Sequence, residues 1–175
     1  MNGDLIEIFK GKAEEVSSNV FISGNNEDGI NYIETILEKE KIRRIAVLDV
    51  DESYGRQLSD HGFELIGRPF RDKASEIEAS VTSAFCGIAE TGSLVIRSDS
   101  EDLRLATMLP DIHFCVISAR SIIERANDLT YQLKDWFGND NYTSFITGPS
   151  RTADIERILT LGAHGPVQLH IIITL

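Results

Sequence analysis

The sequence predicts an α/β fold built around a mostly parallel sheet, and three observations predict it. Short unbroken apolar runs such as Ile45-Ala46-Val47-Leu48 and Phe114-Cys115-Val116-Ile117 have the length and composition of strands buried on both faces. These runs alternate with segments whose apolar residues recur at helical spacing. No internal repeat, low-complexity tract or linker interrupts the alternation, so residues 1–175 read as one domain with an N-terminal helical segment at about 1–18. Strands alternating with helices form βαβ units, whose strands run parallel.

Each element has its own signal. Residues 4–16 place Leu5, Ile8, Phe9, Ala13 and Val16 on one helical face, and residues 26–40 do the same with Ile30, Ile33, Ile36 and Leu37. The strand at 45–48 follows. Tyr54 to His61 reads as a short helix stopped by Gly62, and Phe63 to Ile66 as a second strand. Residues 76–89 fit either strand or helix. Ser93 to Ile96 is a strand, Leu103 to Leu109 a helix ended by Pro110, and Phe114 to Ile117 a strand. Residues 122–137 carry Ile122, Ala126, Leu129, Leu133 and Trp136 in helical register. Tyr142 to Ile146 is a strand. Residues 152–161 read as a helix with Ile155, Ile158 and Leu159 facing in and Gly162 as its stop. Leu169 to Ile173 closes the chain as a strand.

Composition narrows the function classes. Hydrophobic residues are 42% and charged residues 26%, an ordinary globular balance. The net charge of −11 argues against a nucleic-acid partner, which needs a concentrated basic face. It leaves room for a small anion, which needs only one local cation or a helix N-terminus. No apolar run reaches the roughly 18 residues of a membrane span, and the first dozen residues, with Asp4 and Glu7, are unlike a secretory signal. A cytoplasmic location is expected, where Cys86 and Cys115 stay reduced. Both thiols sit in apolar surroundings and read as buried and inert. Two cysteines fall short of the four thiolates of a usual iron–sulphur cluster, and no Cys-x-x-Cys spacing suggests zinc, so no metal is expected in this chain.

Ligands of open parallel sheets usually bind beyond the carboxyl ends of strands. Three loops therefore matter. In Ala89-Glu90-Thr91-Gly92-Ser93, Gly92 permits a tight path with exposed amides, and Glu90 can act as base or nucleophile, or simply be solvated in a turn. In Thr147-Gly148-Pro149-Ser150-Arg151-Thr152-Ala153-Asp154, Thr152 is a good N-cap for the helix expected after it. Ser150, Arg151 and the free amides of that helix start fit a carboxylate or phosphate, or serve plain capping. In Gly162-Ala163-His164-Gly165-Pro166, His164 is free to approach a ligand and exchange protons near neutrality, or bonds a carbonyl within a turn. His113 reads as a satisfied structural histidine, and His61 and His170 as structural or exposed. Phosphate-loop, dinucleotide, nucleophile-elbow and zinc-protease motifs are absent.

The run from Thr147 through Gly-Pro-Ser-Arg-Thr-Ala-Asp-Ile to Glu156, then Leu161 to Pro166 and Leu169 to Ile172, resembles the C-terminal signature of the LUD (lactate-utilisation) domain family. Ala89 to Val95 resembles the family's central Ala-Glu-Thr-Gly motif, and Leu109-Pro-Asp-Ile-His113 its Leu-Pro-x-x-His step. The matches fall in family order between residues 86 and 172. Departures are mild: Ser93 stands where Thr is common and Ala163 where Val is common, and the chain is short beside many members.

The resemblance implies a Rossmann-like three-layer α/β/α sandwich of the sugar-phosphate isomerase and CoA-transferase-like superfamily. It implies a subunit of a three-protein system oxidising L-lactate to pyruvate, with no cofactor in this chain and iron–sulphur clusters in partner subunits. Glu90 and His164 are then expected to handle the proton of the hydroxyl, with Thr91, Gly92, Ser93, Ser150, Arg151 and Thr152 binding a small carboxylate or other anion. Two alternatives stay open: a non-catalytic assembly subunit of that system, and a stand-alone enzyme on a sugar phosphate or CoA thioester.

Overall fold

The computed structural model describes residues 2–130, 142–153, 159–161 and 165–175. In chain order the elements are α1 (Asn2–Glu15), β1 (Asn19–Ser23), α2 (Asn26–Lys39), β2 (Arg44–Val47), α3 (Glu52–Asp60), β3 (Glu64–Leu65), β4 (Ala79–Ser83), β5 (Cys86–Ile88), β6 (Ser93–Ser98), α4 (Glu101–Met108), β7 (Ile112–Ser118), β8 (Ile122–Ile123), β9 (Tyr142–Ile146), β10 (Arg151–Ala153), β11 (Leu159–Leu161) and β12 (Gln168–Thr174). Short 3₁₀ turns lie at Arg71–Glu76, Ala119–Ser121 and Ala126–Leu129.

Six strands form one sheet in the order β1-β12-β7-β4-β2-β3, every neighbouring pair parallel. Helices flank it, which is the expected α/β class. The physical cause is the alternation of side chains across the pleat. Ile45, Ala79, Val81, Phe114 and Ile172 face one side, where Ile30, Ile33 and Leu37 of α2 and Tyr54 and Leu58 of α3 cover them. Ala46, Cys115, Ile117, Leu169, Ile171 and Ile173 face the other, against Phe9 and Ala13 of α1, Leu103 and Ala106 of α4, and Leu94 and Ile96 of β6. On that second side lies a four-stranded sheet ordered β8-β5-β6-β9, so this layer is part helix and part sheet. Caps begin three of the helices: the side chains of Asn25, Asp51 and Ser100 accept from the amides of Asp28, Ser53 and Leu103.

Two expected helices are corrected. Residues 122–137 do not start as a helix. Ile122–Ile123 is β8, pairing parallel with Gly87 and Ile88 of β5. Two consecutive β-branched residues suit an extended ladder. Helical turn begins only at Ala126, where Asp128 accepts from the Arg125 amide at 3.0 Å and Glu90 from the Ala126 amide at 2.9 Å. Leu133 and Trp136 lie outside the described residues. The helix expected at 152–161 is also absent at both ends: β10 and β11 pair antiparallel, with Arg151 opposite Leu161 and Thr152 opposite Thr160. Cross-strand pairing supplies the backbone hydrogen bonds that a short, marginal helix would have made internally. Asp154, Ile155, Glu156, Ile158 and Gly162 lie outside the described residues. Strand β1 carried no expectation, and the ambiguous stretch 76–89 resolves into β4 and β5.

Candidate functional site

A cleft of about 290 Å³ opens where α4 ends, between it, β9 and the amino ends of β7 and β12. That is the small end of the roughly 300–1,000 Å³ usual for ligand sites. The chain builds it in steps. Pro110 follows α4, and the Asp111 carbonyl then accepts from the amides of Val167 and Gln168 at 2.8 and 3.0 Å, so β7 and β12 start side by side. The Ser150 amide donates to the Pro166 carbonyl at 2.8 Å, closing the loop after β9 onto the segment before β12. Gly165 lies against Ser150, so that a β-carbon there would stand 3.3 Å from the Ser150 Cβ.

Among the described residues the lining carries one guanidinium, Arg104, whose Cζ sits 5.9 Å from the Tyr142 ring centroid. Around it are the hydroxyls of Thr107, Tyr142, Ser144, Thr147 and Ser150, with His113 and Leu169 at the strand ends. No acid is among the described lining residues. His113 is fully buried, and its Nε2 lies 2.8 Å from the Thr82 hydroxyl. Burial holds its pKa down to about 4, so the ring is neutral at pH 7. Two other depressions lie beyond the carboxyl ends of the parallel strands. One is bounded by Asp49, Asp99 and Arg97, the other by Asp49, Asp51 and Glu52 with Arg56 and Arg68. Their carboxylates suit an anion less well than a cleft with no acid among its described lining residues.

The three loops singled out by sequence meet this cleft unequally. Ser150 lines it. Arg151 and Thr152 follow in β10, and the helix start whose free amides were to bind the anion is replaced by that strand. His164 lies outside the described residues, next in sequence to the lining Gly165. The Ala89-Glu90-Thr91-Gly92-Ser93 loop reaches the cleft through hydroxyls: Thr91 to Ser93 is 2.7 Å, and Ser93 to Thr147 is 2.7 Å. Glu90 stands apart, accepting from the Ala126 amide and lying outside the cleft lining. Gly92 has φ +66°, and a β-carbon there would run into the Ala13 and Lys12 backbone at the end of α1. Gly148, at φ +78°, presses in the same way on the Val16 carbonyl.

Sequence reasoning missed Arg104, Thr107, His113, Tyr142 and Ser144 as site residues. They sit on α4, β7 and β9, and only His113 had a local signal, the Leu-Pro-x-x-His step. The other buried histidine has structural partners. His170 is bonded to the Tyr32 hydroxyl at 2.8 Å and Gln168 at 3.1 Å. Burial pushes the Cys86 and Cys115 thiols up to about 11 and 12. Among the described residues, no helix is long and apolar enough to cross a membrane.

Comparison with known proteins agrees with this architecture. The chain is 36% identical over 99 residues to an uncharacterized protein of Neisseria meningitidis, covering 56% of this chain and 42% of that protein. It is 27% identical over 139 residues to lactate utilization protein C of Oceanobacillus iheyensis, covering 75% of this chain and 60% of the relative. With lactate utilization protein C of Bacillus subtilis it shares 30% identity over 100 residues, 55% of this chain and 42% of the relative. The matches thus span about two fifths to three fifths of these curated relatives. A crystal structure of a DUF162 family protein from Deinococcus radiodurans superposes with a TM-score of 0.73 at 15% identity, covering 99% of this chain and 98% of that one, a likeness of fold. The LUD domain family model matches residues 6–174, and the chain belongs to the LUD domain family.

Proposed function

We propose that this chain serves L-lactate oxidation as a subunit that holds a small carboxylate in the cleft between α4 and β9, while its partners carry the redox centres. The observation that supports this most directly is the charge of the cleft. A chain of net charge −11 has there a guanidinium among hydroxyls and no acid among the described lining residues. Arg104 supplies the charge-assisted contact to the carboxylate, with Ser144 and Ser150 as further hydrogen-bonding groups. The substrate class follows the printed name of the Oceanobacillus and Bacillus relatives.

Oxidation of a 2-hydroxy acid breaks the C2–H and O–H bonds, makes C2=O, and releases two protons and two electrons. As the resemblance to the LUD family implies, partner subunits would hold the iron–sulphur clusters that would take up the electrons; the two cysteines of this chain, short of the four thiolates a usual cluster needs, fit that division of labour. For the hydroxyl proton we assign His164, next in sequence to the cleft lining, ahead of Glu90, whose carboxylate is engaged by the Ala126 amide. Arg151 and Thr152 directly follow Ser150 and remain assigned to the anion, with Thr91, Gly92 and Ser93 supporting it through Thr147.

Titration calorimetry of the 175-residue chain with L-lactate tests the reading. Saturable binding that weakens about tenfold or more in Arg104→Met is expected, since a charge-assisted hydrogen bond contributes roughly 1.5–3 kcal/mol. Equal affinity in the variant, or no binding to the unaltered chain, overturns it. Anaerobic affinity purification from a lactate-grown host tests the partners: brown, Cys-rich proteins should accompany the chain.

A second reading, assembly without catalysis, is favoured by one observation. Met108, Leu109, Tyr142, Phe145 and Val167 are exposed apolar residues on the elements that frame the cleft, a surface of the kind a partner covers. Leu109→Ser, outside the cleft lining, would then lower recovery of the complex while leaving lactate binding by the isolated chain unchanged.

A further inference from the structure

We propose that the cleft between α4 and β9 takes a carboxylate whose apolar tail is longer than the methyl of lactate, with the charged head at Arg104 and the tail laid along Met108 and Phe145. The inference rests on the carboxylate reading above and adds the part of the ligand that lies away from the head group.

The cleft is long and has a direction. Arg104 and Met108 stand one helical turn apart on α4, so they are neighbours on one face of that helix. Arg104 meets Tyr142 at the start of β9. The Met108 carbonyl lies by Gly165, where a β-carbon would stand 3.9 Å from it and 3.3 Å from the Ser150 Cβ. The last turn of α4 therefore runs beside β9 from its first residue toward the loop that follows it. From Tyr142 to Ile146 that strand alone spans roughly 13 Å, well beyond the reach of lactate. Met108, Phe145, Ile146, Pro166 and Leu169 supply apolar lining. Lactate held at Arg104 has a single methyl to set against them.

Two of those apolar side chains stand in water. Met108 and Phe145 are each 54% exposed and both line the cleft, whereas the exposed Leu109 and Val167 do not. A hydrocarbon laid over them removes apolar surface from water, which favours binding. The charge beside them decides which hydrocarbon. In a chain of net charge −11, the described lining holds the guanidinium of Arg104 and no acid. An anion without a tail leaves Met108 and Phe145 in water, and a hydrocarbon without an acid leaves the guanidinium unmatched. A carboxylate with a tail meets both, and mostly apolar walls with a few placed polar groups are the usual build of a small-ligand site. A fully buried methylene strengthens binding about fourfold; where one side of the tail keeps its water, about twofold to threefold is expected.

Calorimetry of the unaltered chain with L-lactate, L-2-hydroxybutyrate and L-2-hydroxyhexanoate is the first test. Affinity should rise along the series, to about tenfold tighter for 2-hydroxyhexanoate than for lactate. The heat-capacity change of binding should become more negative with each added methylene. Equal affinities, or a decline with length, overturn the inference and leave the carboxylate reading standing. No binding of any acid overturns both. Hexanol, which has the tail and lacks the carboxylate, should bind about tenfold more weakly than 2-hydroxyhexanoate; equal binding would mean an apolar patch indifferent to Arg104 and sinks the proposal. Phe145→Ser and Met108→Ser alter exposed side chains, so the fold should survive both. Each should shrink the ratio of 2-hydroxyhexanoate to lactate affinity by about threefold; a ratio unchanged in both variants overturns the inference. Sedimentation of the ligand-free chain checks the competing occupant. A dimer that Phe145→Ser makes monomeric would mean that a second copy covers this wall, and the tail would have no place there.

Discussion

Gly92 and Gly148 show how single residues in the family motifs act. Each sits at positive φ with its α-carbon against the end of α1, where a β-carbon would meet backbone atoms that cannot rotate away. Gly92→Ala and Gly148→Ala are therefore expected to destabilise by about 2–4 kcal/mol each, from the left-handed backbone and the overpacking together. Urea unfolding monitored by circular dichroism checks this; a loss below about 0.5 kcal/mol at both sites would contradict it. Glu90 belongs to the same loop, and its carboxylate caps the turn at Ala126. Glu90→Ala should cost about 1 kcal/mol of stability, the scale of a lost cap. If it also abolished lactate-dependent electron transfer in the assembled system at unchanged stability, the assignment of the proton to His164 would have to be revised.

At the scale of elements, α1 is the piece that joins the two sheets. Phe9 is fully buried and meets Gly87 of β5, where a β-carbon would clash with the Phe9 ring and crowd Ile117. The glycine makes room for the aromatic, and the aromatic fixes how α1 lies on the second sheet. Phe9→Ala leaves a cavity there and should cost about 3–5 kcal/mol. In a chain of this size that lowers the melting temperature by roughly 6–20 °C, readable by calorimetry. The cap of α4 is a smaller lever: Ser100→Ala removes the acceptor for the Leu103 amide and should cost about 1 kcal/mol. It acts on the helix that carries Arg104 and Thr107, so a loss of ligand affinity beyond the loss of stability would show that the cleft needs a rigid α4.

For the whole molecule, two buried imidazoles set a pH dependence. Burial lowers the pKa of His113 and of His170 to about 4, against an ordinary 6.5. Between those values the unfolded chain binds protons that the folded chain does not, so stability rises with pH through that window. Folding is favoured fully by these groups above pH 6.5 and loses roughly 1.4 kcal/mol per unit for each of them as pH falls toward 4. Urea midpoints measured from pH 7.5 to 4.5 should fall accordingly, and His170→Asn should flatten the slope by about half. A midpoint constant across that range would mean that both rings take up protons as readily in the folded chain as in the unfolded one.

The sequence by itself determined the kind of element at most positions, because burial on a parallel sheet writes unbroken apolar runs and burial on one helix face writes a 3.6-residue period. The runs at 45–48, 114–117 and 169–173 all became sheet strands, and α2 and α4 lie where their spacing put them. It also contained the family, since the motifs between 86 and 172 are tied to backbone needs that no other residues meet, as at Gly92. Pairing decided the rest. Ile122 and Ile123 fit a helical period but lie beside β5, and Thr152 fits an N-cap but lies opposite Thr160, because a partner strand offers hydrogen bonds that periodicity does not record. The same holds for the site. Arg104, His113, Ser144 and Ser150 come from a helix, two strands and a loop, and they share a cleft because β7 and β12 start side by side and Tyr142 of β9 meets Arg104 of α4. Spacing along the chain carries no trace of that proximity, which is why the guanidinium became visible as part of the site only in the fold.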